Sequence, residues 1–167
     1  MADSLDLSSS AYKGVWVRSP PPVPTFERKD MKVLSWQDKL EQDFPNIDFI
    51  TLPSTGQGWE TIIRQACVKL QLLSQTFNVV FIVNQIKEKY GTLRMYVDMR
   101  CSEHDLGEYD ADIIDDIAQD IVATAETSSR YICEVCGKFG QLYPGGWYIV
   151  RCKECYEEYC KQTQGGT

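Results

Sequence analysis

The sequence predicts an α+β fold: a small α-β-α-β-β-α domain followed by a C-terminal zinc finger with four cysteine ligands. Three observations predict it. Apolar residues recur at helical spacing in three segments, two β-branched and aromatic runs flank a Lys-Tyr-Gly-Thr turn, and four cysteines form two C-x2-C pairs. The chain is 43% hydrophobic over 167 residues, which is enough to bury a core, and it has no apolar run long enough to span a membrane.

The chain divides by composition into four parts. Residues 1–30 are rich in Ser and Pro, with a Pro-rich run at Pro20–Pro24, and are expected to be a flexible arm. The α+β domain is expected over 31–129, the zinc finger over 130–162, and a short tail over 163–167. The N-terminal segment has neither the basic nor the apolar region of a secretory signal, so the expected location is the cytoplasm.

The predicted elements of the α+β domain follow from spacing. They are a helix from Met31 to Phe44, a strand from Ile47 to Leu52, a helix from Trp59 to Leu73, a hairpin of Val79–Gln85 with Leu93–Met99, and a helix from about Asp110 to Thr127. On the last helix one apolar face is expected, made of Ile113, Ile114, Ile117, Ala118, Ile121, Val122 and Ala125. The zinc finger follows that helix at once and is expected to pack on it. The Gly-rich loop over 55–58 lacks the Lys-Ser/Thr of a phosphate-binding loop.

The cysteine spacing predicts one structural zinc ion. Cys133 and Cys136 form the first C-x2-C pair, and Cys152 and Cys155 form the second after fifteen residues. Two such pairs supply the tetrahedron of thiolates that Zn²⁺ prefers, and they leave no open position for catalysis. The first cysteine pair is expected on a tight turn called a knuckle, a β-hairpin follows it, and the second pair is expected at the start of a helix. That order is typical of a treble-clef finger, and a zinc ribbon is the alternative. Cys160 lies one helical turn further on and is a possible competing ligand.

Acidity is concentrated in one segment. The net charge is −7, and the stretch from Cys101 to Ser129 has nine acidic residues and no Lys or Arg. On the last helix, Asp112, Asp115, Asp116 and Asp120 recur at helical spacing and are expected to form a ridge opposite the isoleucines. We interpret this ridge as a docking surface for a basic protein partner, with a merely solvated helix face as the alternative. The same field is expected to make nucleic-acid binding weak.

The sequence also leaves room for the opposite interpretation. A nucleic-acid-binding zinc module would use basic residues at the hairpin tip and in the finger: Lys87, Lys89, Arg94, Lys138, Arg151 and Lys153. An enzyme is not expected. The single histidine, His104, has no Ser-His-Asp set or metal-binding motif around it, and no small-molecule substrate is indicated.

The segment Gln85–Val97, which contains Lys-Glu-Lys-Tyr-Gly-Thr-Leu-Arg, together with the two cysteine pairs, resembles a group of small uncharacterised phage and prophage zinc-finger proteins. The likeness covers about residues 58–158, and Tyr90 stands where that group has Phe. The group has no established activity. The resemblance implies a phage or mobile-element origin and a host-directed role, such as binding and modulating a nucleic-acid-handling or defence protein of the host cytosol.

Overall fold

The computed structural model describes residues 34–101 and 110–164. The predicted arm over 1–30, His104 and the acidic residues of 103–108 lie outside the described residues. The helices are α1 Leu40–Asp43, α2 Glu60–Phe77, α3 Ala111–Ser129 and α4 Lys153–Gln164, and a 3-10 turn spans Gln57–Trp59. The strands are β1 Ile47–Phe49, β2 Val80–Lys89, β3 Thr92–Arg100, β4 Gln141–Tyr143 and β5 Ile149–Arg151. The predicted α+β class with a C-terminal cluster of four cysteines is confirmed.

A three-stranded sheet in the order β1-β2-β3 forms one layer of the domain. β1 pairs with β2 in parallel, so α2 is the crossover between them, and β2 pairs with β3 as an antiparallel hairpin. Tyr90 and Gly91 both have positive φ at the turn, which is the type I′ conformation that suits a twisted hairpin. A bulge between Val83 and Gln85 inserts one residue, so Ile86 rather than Gln85 turns toward the core.

Helices α2 and α3 form the second layer and bury one face of the sheet. The core residues of the hairpin are Phe81, Val83, Ile86, Leu93, Met95 and Val97, and all are buried. Side chains of α3 also bond the outer edge of β3: the amide of Leu93 donates to Ser129 Oγ at 2.9 Å and the amide of Met95 to Glu126 Oε1 at 3.0 Å. These bonds occupy an edge that would otherwise offer free backbone groups for intermolecular pairing.

The first helix is shorter than its apolar stripe predicts. Before Leu40 the described chain forms a turn, in which Ser35 and Asp38 bond each other through side chain and backbone. These reciprocal bonds have the form of a capping box, which starts the first turn, but among the described residues this segment is regular α-helix only over Leu40–Asp43. The stripe itself is used as predicted, since Leu40 and Phe44 are buried and Trp36 packs against the core.

The buried face of α3 is narrower than the predicted apolar face. Ile114, Ala118, Val122 and Ala125 are buried, but Ile113 and Ile117 are exposed. The α3 face that meets the sheet and α2 is therefore narrower than the apolar arc of the sequence. The predicted strand over 47–52 is likewise shorter, because after Phe49 the chain follows β2 only through separate bonds such as Ile50 N–H to the Val83 carbonyl at 3.0 Å.

Candidate metal centre and interaction surfaces

Cys133, Cys136, Cys152 and Cys155 converge on one point. Their Sγ atoms all lie within 4.8 Å of one another, and Cys136 Sγ is 3.6 Å from Cys152 Sγ. A tetrahedral metal with Zn–S bonds of about 2.3 Å needs sulfurs about 3.8 Å apart, so the cluster has the dimensions of a metal site. None of the four is in a disulfide. Cys160, within the described part of the chain, is not a member of the cluster.

The surroundings of the cluster shift the pKa values of two of its thiols in opposite directions. Burial by itself would raise the pKa of the Cys133 thiol, but the backbone N–H groups of Cys152, Cys136 and Val135 lower it to about 7. Burial and the neighbouring thiols raise the pKa of Cys155 well above its ordinary value. Four adjacent thiolates repel each other, so the fully ionised cluster requires a bound cation.

The fold around the cluster is that of a treble-clef finger. Gly137 N–H donates to the Cys133 carbonyl at 2.9 Å to close the first knuckle, and Gly137 has positive φ. The antiparallel pair β4–β5 follows, and Cys152 and Cys155 then lie at the start of α4. A zinc ribbon would place the second pair on another knuckle, so the structure selects between the two predicted forms.

The finger is anchored at a place that the sequence did not indicate. The Gly-rich loop before α2 meets the first knuckle: Gly58 N–H donates to the Glu134 carbonyl at 2.7 Å and Gly56 N–H to Glu134 Oε1 at 3.0 Å. Trp59 Nε1 donates to the Ile132 carbonyl at 2.9 Å. A Cβ on Gly58 would lie 2.0 Å from the Cys133 carbonyl oxygen, so the two backbones approach as only glycine allows. The loop over 56–59 clamps the knuckle to the start of α2, and the expected packing of the finger on α3 stays a prediction.

The hairpin tip makes a second contact with the finger. A Cβ on Gly91 would lie 2.7 Å from Leu142 Cδ1 and 3.3 Å from the Tyr148 carbonyl oxygen. The Lys-Tyr-Gly-Thr turn therefore abuts the β4–β5 hairpin. The turn and the zinc finger, which are separate features in the sequence, are in direct contact.

The six basic residues suggested for nucleic acid fall into two sets. At the hairpin, Lys87 Nζ lies over the Tyr96 ring and Lys89 Nζ over the Tyr90 ring, and Arg94 pairs with Glu126 at 3.1 Å. In the finger, one cavity of about 480 Å³ is lined by all three suggested residues, Lys138, Arg151 and Lys153.

The predicted acidic ridge is divided. Asp112, Asp116 and Asp120 are exposed, whereas Asp115 is only partly exposed and accepts a hydrogen bond from Gln119 Nε2 at 3.4 Å. The Gln119 amide also donates to the Val97 carbonyl at 3.1 Å, so that flank of α3 faces the sheet edge. The exposed face of α3 carries aspartates and isoleucines together.

Sequence reasoning missed a group of exposed aromatic residues around the finger. They are Tyr90, Tyr131, Phe139, Trp147 and Tyr148. Their sequence signal was present, since aromatic residues flank Pro144-Gly145-Gly146, but alternation alone does not tell which side of a short hairpin meets a core.

No protein-family model, no curated protein and no solved structure matches this chain. Within residues 34–101 and 110–164, no helix is long and apolar enough to cross a membrane. The function is therefore inferred from the geometry of this molecule.

Proposed function

We propose that this chain is a zinc-stabilised, non-enzymatic interaction protein of phage or mobile-element origin. In this proposal it binds and modulates a host protein in the cytoplasm through the exposed face of α3, and Zn²⁺ holds its finger in shape. Four cysteine sulfurs at tetrahedral spacing support the choice of zinc, because a thiolate-only donor set favours a soft metal with tetrahedral preference.

One observation carries the proposed interaction. Ile113 and Ile117 are 59% and 41% exposed, and they lie on α3 beside Asp116 and Asp120. Large apolar side chains flanked by charge resemble the anatomy of a protein interface, in which an apolar centre is surrounded by a charged rim. Helix α2 also exposes Val68 and Leu72, but residues 65–75 include no Asp or Glu, whereas α3 combines exposed apolar side chains with a cluster of aspartates.

Charge defines the partner that would fit this surface. From Asp110 to Asp120 the chain has five Asp residues and no Lys or Arg. The backbone N–H of Asp112 donates to Asp110 Oδ1 at 2.9 Å, so this carboxylate caps the start of α3. A partner with a basic surface and an apolar recess would be attracted at long range and would bury the isoleucines on docking. A host protein that handles nucleic acid offers such a basic surface.

The experiment compares two surface variants with the parent in pull-downs from host lysate, followed by binding kinetics with the captured partner. The first variant is Asp112→Asn, Asp115→Asn, Asp116→Asn and Asp120→Asn together, and the second is Ile113→Ser with Ile117→Ser. The aspartate variant should lose association rate and salt dependence, whereas the isoleucine variant should dissociate faster.

Stability measurements accompany the binding data. Exposed like charges repel within a helix, so the aspartate variant should melt at the parent temperature or slightly above it. A matched control is Val68→Ser with Leu72→Ser, which removes two exposed apolar residues from α2. If the α3 and α2 variants bind the captured partner equally well, α3 is not the docking surface.

A further inference from the structure

Two cavities lie on the two faces of the β4–β5 hairpin and share one rim. One has a volume of about 560 Å³ between the β2–β3 turn and β4, and the other is the 480 Å³ cavity beside α4. Phe139, Gly140 and Gln141 line both cavities and form their common rim, whereas Leu142 and Val150 face only the first cavity and Tyr143 and Arg151 only the second. We refer to the lining of both cavities as the finger groove.

Exposed aromatic rings border the finger groove. Tyr90, Tyr131 and Phe139 line it and are 69%, 58% and 79% exposed. A folded protein gains nothing from holding three large rings in water around one groove, and such concentrations of exposed apolar surface mark binding sites. Flat rings beside a groove also offer π-faces on which a planar ligand can stack.

Cations line both cavities. Arg94 and Arg130 line the first cavity, and Lys138, Arg151 and Lys153 line the second, whereas Glu154 is the one carboxylate in either lining among the described residues. Glu126 holds Arg94 from outside the groove, and a zinc–tetrathiolate adds a charge of about −2 beside Cys152. The groove lining stays positive when the zinc–thiolate charge is counted, although the chain as a whole carries −7.

The aspartates from Asp112 to Asp120 are too distant to cancel this local charge. Arg130 ends α3, and the aspartates from Asp112 to Asp120 lie near its beginning. At a rise of about 1.5 Å per residue, they are about 15 to 27 Å from Arg130 along the helix axis. That is about two to three Debye lengths at physiological salt, so the groove and the α3 face act as electrically separate surfaces.

We propose that the finger groove binds single-stranded nucleic acid. The chain would cross the shared rim: unpaired bases would stack on Tyr131 and Phe139, and phosphates would lie against Arg130 in the first cavity and Lys138 in the second, with Arg151 and Lys153 beyond it. Exposed π-faces beside cations match a chain of unpaired nucleotides, whereas a duplex keeps its base faces stacked internally. An acidic aromatic peptide satisfies the same groups less fully, because it carries fewer negative charges at regular spacing.

The test is fluorescence anisotropy with labelled oligothymidylate and oligouridylate of about twelve nucleotides, added to the intact zinc-loaded protein. We expect a dissociation constant of about 1–100 µM. With about three phosphates neutralised, affinity should fall about 20-fold between ~50 and ~200 mM salt. Tyr131→Ala with Phe139→Ala should weaken binding about tenfold or more, since each ring supplies one stacking platform. Arg130→Gln with Lys138→Gln should weaken binding and flatten the salt dependence.

Matched controls remove similar residues outside the groove. Trp147→Ala deletes an aromatic residue that is 80% exposed but lines neither cavity, and Lys161→Gln deletes a cation of α4 that also lines neither. Both should bind as the parent does, and zinc content checks that every variant keeps its finger. The four-aspartate variant of α3 should bind the oligonucleotides unchanged, which separates this proposal from the one on α3.

Three results would overturn the proposal. One is no binding at ~100 µM protein in ~50 mM salt. Another is equal losses in the groove and control variants. The third is equal affinity for a duplex of the same length, which would indicate phosphate contacts without stacking. If the groove variants instead lose a captured protein partner and no oligonucleotide binds, the groove is a peptide site and the nucleic-acid assignment is wrong.

Discussion

Gly58→Ala should loosen the zinc finger from the α+β domain, although it adds a single methyl group. The new Cβ would lie 2.0 Å from the Cys133 carbonyl oxygen and 2.5 Å from the Gly137 amide nitrogen. Both atoms belong to the knuckle backbone, so no flexible side chain can move aside. Either the loop or the knuckle must shift, and the 2.7 Å bond from Gly58 N–H to the Glu134 carbonyl would be lost.

The expected cost combines two effects. Overpacking at a rigid contact costs about 1–3 kcal/mol, and a hydrogen bond lost from a buried junction costs about 1 kcal/mol. A total of about 2–4 kcal/mol corresponds to a decrease in Tm of about 4–16 °C for a chain of this size. Because the knuckle holds two of the four metal ligands, zinc release to a coloured chelator should also become about 30-fold faster or more, at 1.4 kcal/mol per tenfold.

Gly146→Ala is the matched control, since a Cβ there meets no atom within 4 Å. It should leave both the Tm and the rate of zinc release close to the parent values. Thermal unfolding followed by circular dichroism and chelator competition are measured on the same preparations. If Gly58→Ala unfolds and releases zinc as Gly146→Ala does, the loop over 56–59 does not clamp the knuckle, and the close backbone approach does not hold the finger in place.

Three further predictions concern the metal site, a partly buried carboxylate and the sheet edge. Cys133→Ser with Cys152→Ser should abolish the binding of one zinc per chain and unfold the finger, because structural zinc supplies on the order of 10 kcal/mol in small fingers. Elemental analysis measures the zinc content, and full zinc retention would contradict the prediction. Burial raises the pKa of Glu134, so its ionisation destabilises the folded state; Glu134→Gln keeps an acceptor for Gly56 N–H and should be at least as stable as the parent at pH 7. That advantage should shrink as pH falls through the raised pKa and vanish below the unfolded value of about 4.3, and denaturant titrations at several pH values would reveal an opposite trend. Ser129→Ala leaves the buried amide of Leu93 without its 2.9 Å partner and should cost about 1–3 kcal/mol in urea unfolding, whereas an unchanged midpoint would show that α3 does not protect the sheet edge.

The sequence by itself determined the features that depend on local spacing. Two C-x2-C pairs specify a tetrathiolate cluster wherever the chain brings them together, and a Tyr-Gly turn between β-branched runs specifies a hairpin. The apolar periodicity of α2 and α3 predicted both helices to within a few residues. These features are encoded by neighbours along the chain, so they can be recognised without knowing the fold.

Only the tertiary structure decided which surfaces meet. Gly56 and Gly58 look like part of an ordinary loop in the sequence, because the knuckle that needs their missing side chains lies more than seventy residues further on. Ile113 and Ile117 satisfy the helical period as well as Ile114 does, but the area that the sheet and α2 can cover on α3 is limited, and these two remain exposed. The net charge of −7 likewise did not indicate the basic finger groove. A net charge contains no information about where the charged residues lie in the fold. Salt screens each charge beyond about 10 Å, so a ligand responds mainly to the charges near its own site.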